Sequence, residues 1–305
     1  MSSADVTDQA AAERGERPWQ HFRLDRASAS FWRVTFEHPP INTITATTVA
    51  ELAELIDLIE RAGQLNVVVF DSANPDFFLA HYDTENEPQR TLALPAGPTG
   101  MNAWLDLLVR LSRAPAVSIA AIRGRARGAG SEFVLACDMR FASRENTLLG
   151  QFEIGLGLVP GGGPMARLAR LAGRGRALEI VLVGDDCDGP RAELYGYVNR
   201  AVPDAELDRT VESIASRLAA FDHEAISRIK RYVDRVTLPD DSELPPALED
   251  FFELSSRPRQ QTLLANAQKL GLNTDGDLER RLGERVVEAQ SNPPRQAEGE
   301  TRASR

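Results

Sequence analysis

The stretch "AAIRGRARGAGSEFVLACD", Ala120 to Asp138, limits the fold more than any other part of the chain. An apolar run passes through alternating small residues and arginines into a helical pattern, which describes a strand-to-helix turn. Gly128, Ala129, Gly130 and Ser131 remove nearly all side-chain bulk from that turn, and Glu132 sets one carboxylate on the first helical turn. A helix starting near Gly130 points its first N–H groups, with their partial positive charge, back into the turn. Small residues leave those groups open to a ligand oxygen, so the turn can act as an oxyanion cradle. It can equally be a plain close-packed junction in which Glu132 only favours the helix start.

The flanking pattern alternates in the same way. "FWRVTFEH" reads as a strand, and "TATTVAELAELIDLIERAG" as a helix with Val49, Leu52, Leu55, Ile56 and Ile59 on one face. "NVVVFDS" and "AVSIAAIRG" read as buried strands on either side of the helical "NAWLDLLVRLSRAP". After the turn come a strand "MRFAS", a loop "GQFEIGLGLVPGGG", helices at "PMARLARLAG" and "GRALEIVLVG", and a strand at "YGYVNRAVP". From Asp204 to about Gln290 the pattern is almost wholly helical. Strands alternating with helices imply parallel strands with crossover helices, followed by a helical end. Residues 1–18 and 291–305 are polar, without apolar period, and are expected to be disordered. The charged faces of "TVESIASRLAAF" and "HEAISRIKRYVDR" read as ordinary solvated helix surfaces.

Composition removes several function classes. A formal charge of −10 opposes nucleic-acid binding, which needs a basic face. The two cysteines are too few for a disulfide framework, and Cys137 reads as a small core residue. There is no apolar signal segment at the start and no run long enough to span a membrane, so a cytoplasmic location without membrane association is expected. The four histidines form no metal-ligand spacing, so no metal is expected. "GRARGAG" and "GLGLVPGGG" match neither the dinucleotide nor the phosphate-loop pattern, and no G-x-S-x-G is present. Of 35 basic residues only Lys230 and Lys269 are lysines, so any bound anion must be held by arginine or by backbone N–H groups.

A second acid, Glu153, lies between Phe152 and Ile154 ahead of a flexible-looking glycine run. Partial desolvation there raises a carboxyl's pKa toward use as a general acid or base. Spacing alone does not bring Glu132 and Glu153 together.

Four ordered segments, "HPPINTIT", "FFLAHYD", "IRGRARGAGSEFVLACDMRFAS" and "FEIGLGLVPGGGPMARLARLAG" with "ALEIVLVG" and "YGYVNRAVP", resemble the enoyl-CoA hydratase/isomerase (crotonase) superfamily from Phe31 to Pro203. The resemblance implies an α/β crotonase (ClpP-like) spiral of ββα units over residues 19–203. A helical C-terminal region over 204–290 would build homotrimers or hexamers, or cover the site. It implies catalytic roles for Glu132 and Glu153, one activating water for attack at C3 of an enoyl thioester and the other delivering a proton to C2. It implies an oxyanion hole from the backbone N–H groups of Tyr82 and Ala129, and substrate contacts at Ala80, His81, Asp83, Gly128 and Gly130. The expected small-molecule partner is an acyl-CoA thioester, with coenzyme A as part of the substrate and no separate cofactor. Double-bond isomerisation, a substrate without coenzyme A, and a non-catalytic oligomeric scaffold stay open as alternatives.

The chain departs from that family at its anion handles. Where relatives carry basic residues for the coenzyme A phosphates, this chain reads "HPPIN" and "DTENEPQR", with Asp83, Glu85 and Glu87. A polyanion beside three carboxylates needs compensation from Arg90 or another arginine. His81 either bonds its own loop backbone or enters the chemistry.

Overall fold

The computed structural model describes residues 19–84 and 88–290. The expected disorder of 1–18 and 291–305 and the side chains of Glu85 and Glu87 lie outside these residues.

Among the described residues, ten strands form two sheets. The larger has the order β1 (Phe22–Asp25), β2 (Phe31–Phe36), β3 (Val67–Ser72), β5 (Val117–Ile122), β7 (Met139–Ser143), β10 (Arg200–Val202). Only the β1–β2 pair is antiparallel. The smaller sheet has the order β4 (Phe77–Leu79), β6 (Arg125–Arg127), β8 (Leu148–Gly150), β9 (Cys187–Asp188), its first three strands parallel. β3, β5 and β7 of the large sheet each lead directly into β4, β6 and β8 of the small one, and a helical segment follows before the chain returns. This is the expected spiral of ββα units.

Burial explains the strand pattern. All six residues of β5 are buried, because crossover helices cover one face of the large sheet and the Asp204–Ala219 helix covers the other. That helix sets Leu207, Val211 and Ala215 against Val67, Val69, Ile119 and Phe141. The Ala46–Arg61 helix buries the five predicted apolar positions, and Thr45 caps its first turn. Cys137 is a buried free thiol in the main core, as expected.

The small sheet is what sequence patterning missed. "AVSIAAIRG" reads as one strand, yet the chain turns at Gly124, whose φ is +75° and whose added Cβ would lie 2.3 Å from the backbone carbon of Asp76. β6 begins immediately afterwards. "YGYVNRAVP" also differs: Tyr195 ends a Gly189–Tyr195 helix, Gly196 is left-handed, and the strand is confined to Arg200–Val202.

The C-terminal region is helical, with Asp204–Ala219, His223–Thr237, Pro245–Ser255 and Pro258–Leu270 followed by the short helices Asp277–Arg280 and Leu282–Arg285. Leu263, Ala267, Leu278, Leu282 and Val286 pack on Phe152, Leu156 and Leu158. The last described helices thus rest on the Glu153 loop. "HEAISRIKRYVDR" is not an ordinary solvated face. Lys230 is buried against Asp138 at 2.5 Å and the Ser112 carbonyl, while Ile229, Tyr232, Val233 and Val236 are exposed.

Candidate active site

The small sheet brings the singled-out segments together. β4, β6 and β8 are adjacent and parallel, so their C-terminal ends lie side by side. Ala80–Asp83 leaves β4, Gly128–Ala129 leaves β6, and Gln151–Glu153 leaves β8. Ligand sites commonly form where loops leave the carboxyl ends of parallel strands.

Glycine lets the three exits pack closely. A Cβ on Gly130 would lie 1.8 Å from the Leu79 carbonyl oxygen and 2.2 Å from that of Ala80. A Cβ on Gly128, where φ is +49°, would lie 2.7 Å from Glu153 Oε1 and 3.3 Å from the His81 Cβ. The bare turn therefore serves one of the purposes considered from sequence, close packing of the three exits.

Ala129 is the first residue of its helix, so its N–H has no acceptor within that helix. Tyr82 forms an isolated parallel bridge with Ile44, in which Ile44 N–H donates to the His81 carbonyl and Asp83 N–H donates to the Ile44 carbonyl. That pairing leaves the Tyr82 N–H directed to the side away from Ile44.

The two acids differ in their surroundings. Glu132, 3% exposed, accepts from Trp104 Nε1 at 2.8 Å and from the Gly162 N–H at 2.6 Å. Burial raises its pKa, and these two donors oppose the rise without cancelling it, so the carboxyl stays above its ordinary value. Glu153 starts a 3-10 turn, Glu153–Leu156, and its Oε2 is buried without a hydrogen-bond partner among the described residues. Burial, then the nearby Glu132 charge, pushes its carboxyl up to about 8.

The glycine run expected to be flexible is packed instead. A Cβ on Gly162 would lie 2.0 Å from Glu132 Oε2 and 2.8 Å from Trp104 Nε1, and one on Gly163 would lie 2.4 Å from Leu244 Cδ2. Only glycine lets the backbone approach close enough to donate to Glu132 here.

Glu132, Glu153, His81, Tyr82 and Ala129 all line one cavity of about 960 Å³, counting its open mouth. Its apolar wall includes Trp104, Leu158, Leu248, Phe251 and Leu264, the last three from the C-terminal helices. Ala80, Asp83, Gly128 and Gly130, expected as substrate contacts, stand behind this surface. Ala80 packs with Ile41 and Phe77, and Asp83 accepts from Asn273 Nδ2 at 3.3 Å. Arg90 lies on a separate groove beside Trp19, Glu51 and Glu54.

His81 is 2% exposed. Its Nε2 lies 2.7 Å from Glu279 Oε1 and its Nδ1 lies 2.8 Å from the Tyr82 carbonyl oxygen. Burial lowers its basicity, but the Glu279 charge and hydrogen bond outweigh it and leave the pKa raised; Glu279 is held below the usual carboxylate range. Trp104, Gly162 and Glu279 escaped sequence reasoning. Trp104 reads as a core residue of an apolar helix face, and nothing distinguishes Glu279 from the other charges of "DGDLERRLGERV".

Residues 26–249 match the sequence model of the enoyl-CoA hydratase/isomerase family. The chain belongs to this family. A short-chain-enoyl-CoA hydratase of Clostridium acetobutylicum is 31% identical over 205 residues, which cover 66% of this chain and 77% of that protein. The fatty acid oxidation complex subunit alpha of Vibrio campbellii is 30% identical over 186 residues, or 61% of this chain and 26% of that longer protein. A crystal structure of a candidate enoyl-CoA hydratase from Streptomyces avermitilis aligns with a TM-score of 0.84 at 42% identity, over 88% of this chain and 97% of that one. The crotonase fold is thereby established for this family member. The family match ends at residue 249, so Phe251, Leu264 and Glu279 lie beyond it.

Proposed function

We propose that this family member is an enoyl-CoA hydratase that adds water syn across the C2–C3 double bond of a 2-enoyl-CoA. The observation that carries the reading is the pair of buried carboxyls facing one cavity with opposite hydrogen-bond environments. Glu132 accepts from two N–H donors, which favours the carboxylate and suits it as the base. Glu153 has a buried oxygen without a partner and a pKa of about 8, which keeps it protonated at neutral pH and suits it as the acid.

Glu132 takes a proton from water as the water oxygen bonds to C3. The double-bond electrons move toward the thioester oxygen, which accepts from the Tyr82 and Ala129 N–H groups as an enolate. Each such donor contributes roughly 2.7–4 kcal/mol when aimed at the developing charge. The enolate then takes the Glu153 proton at C2. Proton exchange with solvent returns both acids to their starting states. No separate cofactor enters, since coenzyme A is part of the substrate.

The apolar cavity wall suits an aliphatic acyl group. The exposed apolar residues of the His223–Thr237 helix suit burial between subunits, in keeping with a homotrimer or hexamer. No helix among the described residues is long and apolar enough to cross a membrane; we place the enzyme in the cytoplasm. A substrate without coenzyme A is the second reading, favoured by Arg90 facing a groove separate from the cavity of the two acids. Loss of enoyl-thioester absorbance with crotonyl-CoA, together with calorimetric titration of acetoacetyl-CoA, tests both. Turnover and saturable binding support the hydratase. Folded protein that neither turns over the first nor binds the second at millimolar concentration would sink the acyl-CoA reading.

A further inference from the structure

We infer that Glu279, from the C-terminal segment, holds His81 as an imidazolium and thereby positions the oxyanion loop; this rests on the hydratase reading above. The argument starts from hydrogen-bond chemistry. Both ring nitrogens of His81 face acceptors, the Glu279 carboxylate at 2.7 Å and the Tyr82 carbonyl at 2.8 Å. A neutral imidazole carries one N–H, so one nitrogen would meet an acceptor with a lone pair. With Glu279 ionised, as its lowered pKa requires, only the doubly protonated ring satisfies both.

The charges around the ring agree with that assignment. Glu279 faces it from the Asp277–Arg280 helix, Arg127 from β6, and Glu153, with Glu132 behind it, from the turn after β8. Asp83 lies two residues along its own loop. Arg127 is itself neutralised by Asp186 through two contacts of 2.6 Å, leaving Glu279 as the counter-charge for His81. The pair is almost completely enclosed, with side-chain exposures of 3% and 1%. A charge buried to that degree is retained only when paired and hydrogen-bonded.

Glu279 is a fixed anchor. Its Oε1 also accepts from the Asn273 N–H at 2.7 Å, and its backbone carbonyl accepts from Arg127 Nη1 at 2.6 Å. Asn273 Nδ2 further reaches Asp83 and Thr84 at 3.3 Å each. The loop 81–84 is therefore held on one side by Ile44 and on the other by the C-terminal segment. Tyr82, whose N–H is assigned to the thioester oxygen, sits at the middle of this clasp. Glu279 lies thirty residues past the segment, 26–249, that matches the family's sequence model. Glu279 is a positioning residue acting through His81.

The test combines nitrogen NMR of histidine-labelled protein with steady-state kinetics on crotonyl-CoA. Only four histidines are present, and the His81 signal is the one lost in His81→Gln. The wild type should show both His81 nitrogens protonated above pH 7, where a free histidine is neutral, and Glu279→Gln should show a single protonated nitrogen. Glu279→Gln and His81→Gln should each lower kcat by about 10–100-fold with KM little changed, the size expected of a displaced oxyanion donor. The double variant should be no worse than either single one. Glu279→Asp, which keeps the charge, should retain the imidazolium and recover part of kcat. A neutral His81 in the wild type overturns the inference, and so does a folded Glu279→Gln with wild-type kcat. Should Glu279→Gln not fold, the wild-type spectrum and the His81→Gln kinetics decide. Wild-type protein inactive on any 2-enoyl-CoA removes the hydratase reading alone, because the His81 spectrum still reports on the pair.

Discussion

Glu132 and Glu153 meet in one cavity from two kinds of backbone, and the difference assigns their chemistry. Glu132 stands on a regular helix and is approached by an indole N–H and a backbone N–H, so its negative charge has two fixed partners. Glu153 stands on a single 3-10 turn among apolar side chains, with one oxygen facing no donor. Both are buried, so burial alone cannot separate them. Local donors do: the Trp104 and Gly162 N–H groups favour ionisation of Glu132, while Glu153 keeps one buried oxygen without a partner, which favours its proton.

Removing either acid should abolish the contrast and most of the activity. Glu132→Gln and Glu153→Gln should each lower kcat by about 10²–10⁴-fold, the range of positioned acid–base groups, with folding and assembly unchanged. Turnover assays beside light scattering check this, and unaltered turnover would leave a scaffold. Gly162→Ala attacks the Glu132 side more gently. Its methyl would overlap the carboxylate oxygen at 2.0 Å, and displacing that group should cost about 10²-fold in kcat.

Trp104→Phe keeps the packing and deletes one donor to Glu132. A carboxylate losing a donor has a higher pKa, and a base works only when ionised. The acid limb of the pH–rate profile should therefore move to higher pH, with a smaller drop in kcat than Gly162→Ala. The wild-type profile sharpens the other side: activity should fall as pH rises through about 8, where Glu153 loses its proton.

The same protonation also acts on stability. The Glu153 pKa in the folded protein, about 8, lies above its ordinary 4.5, so the folded state keeps a proton that the unfolded chain releases. Stability must then decline as pH rises from 4.5 to about 8. Glu153→Gln removes this decline, and its melting temperature should exceed the wild type by a margin that widens over that interval. A constant margin would contradict the assigned pKa.

Much of the large sheet was readable because β2, β3 and β5 are six-residue, mostly apolar runs bounded by turns, and its first crossover helix because Val49, Leu52, Leu55, Ile56 and Ile59 recur at helical spacing. The small sheet was not. β4, β6 and β8 are three residues each, too short for a two-residue period to emerge, and β6 is "RAR". Arg127 looks solvated in sequence, yet it is buried because Asp186 and the Glu279 carbonyl satisfy its donors. Lys230 shows the same failing, since Asp138 permits its burial.

The amino-acid sequence by itself determined the strand–helix alternation, the bare turn before Glu132, the apolar setting of Glu153 and the family's ordered motifs. These are local properties, set by side-chain size, polarity and spacing within a few residues. Only the tertiary structure decided that three strand ends lie side by side, that Gly162 donates to Glu132 while Glu153 Oε2 has no partner among the described residues, and that Glu279 reaches His81 across 198 positions of chain. Protonation depends on which charges and donors surround a group within a few ångströms. Folding chooses those neighbours without regard to their distance along the chain.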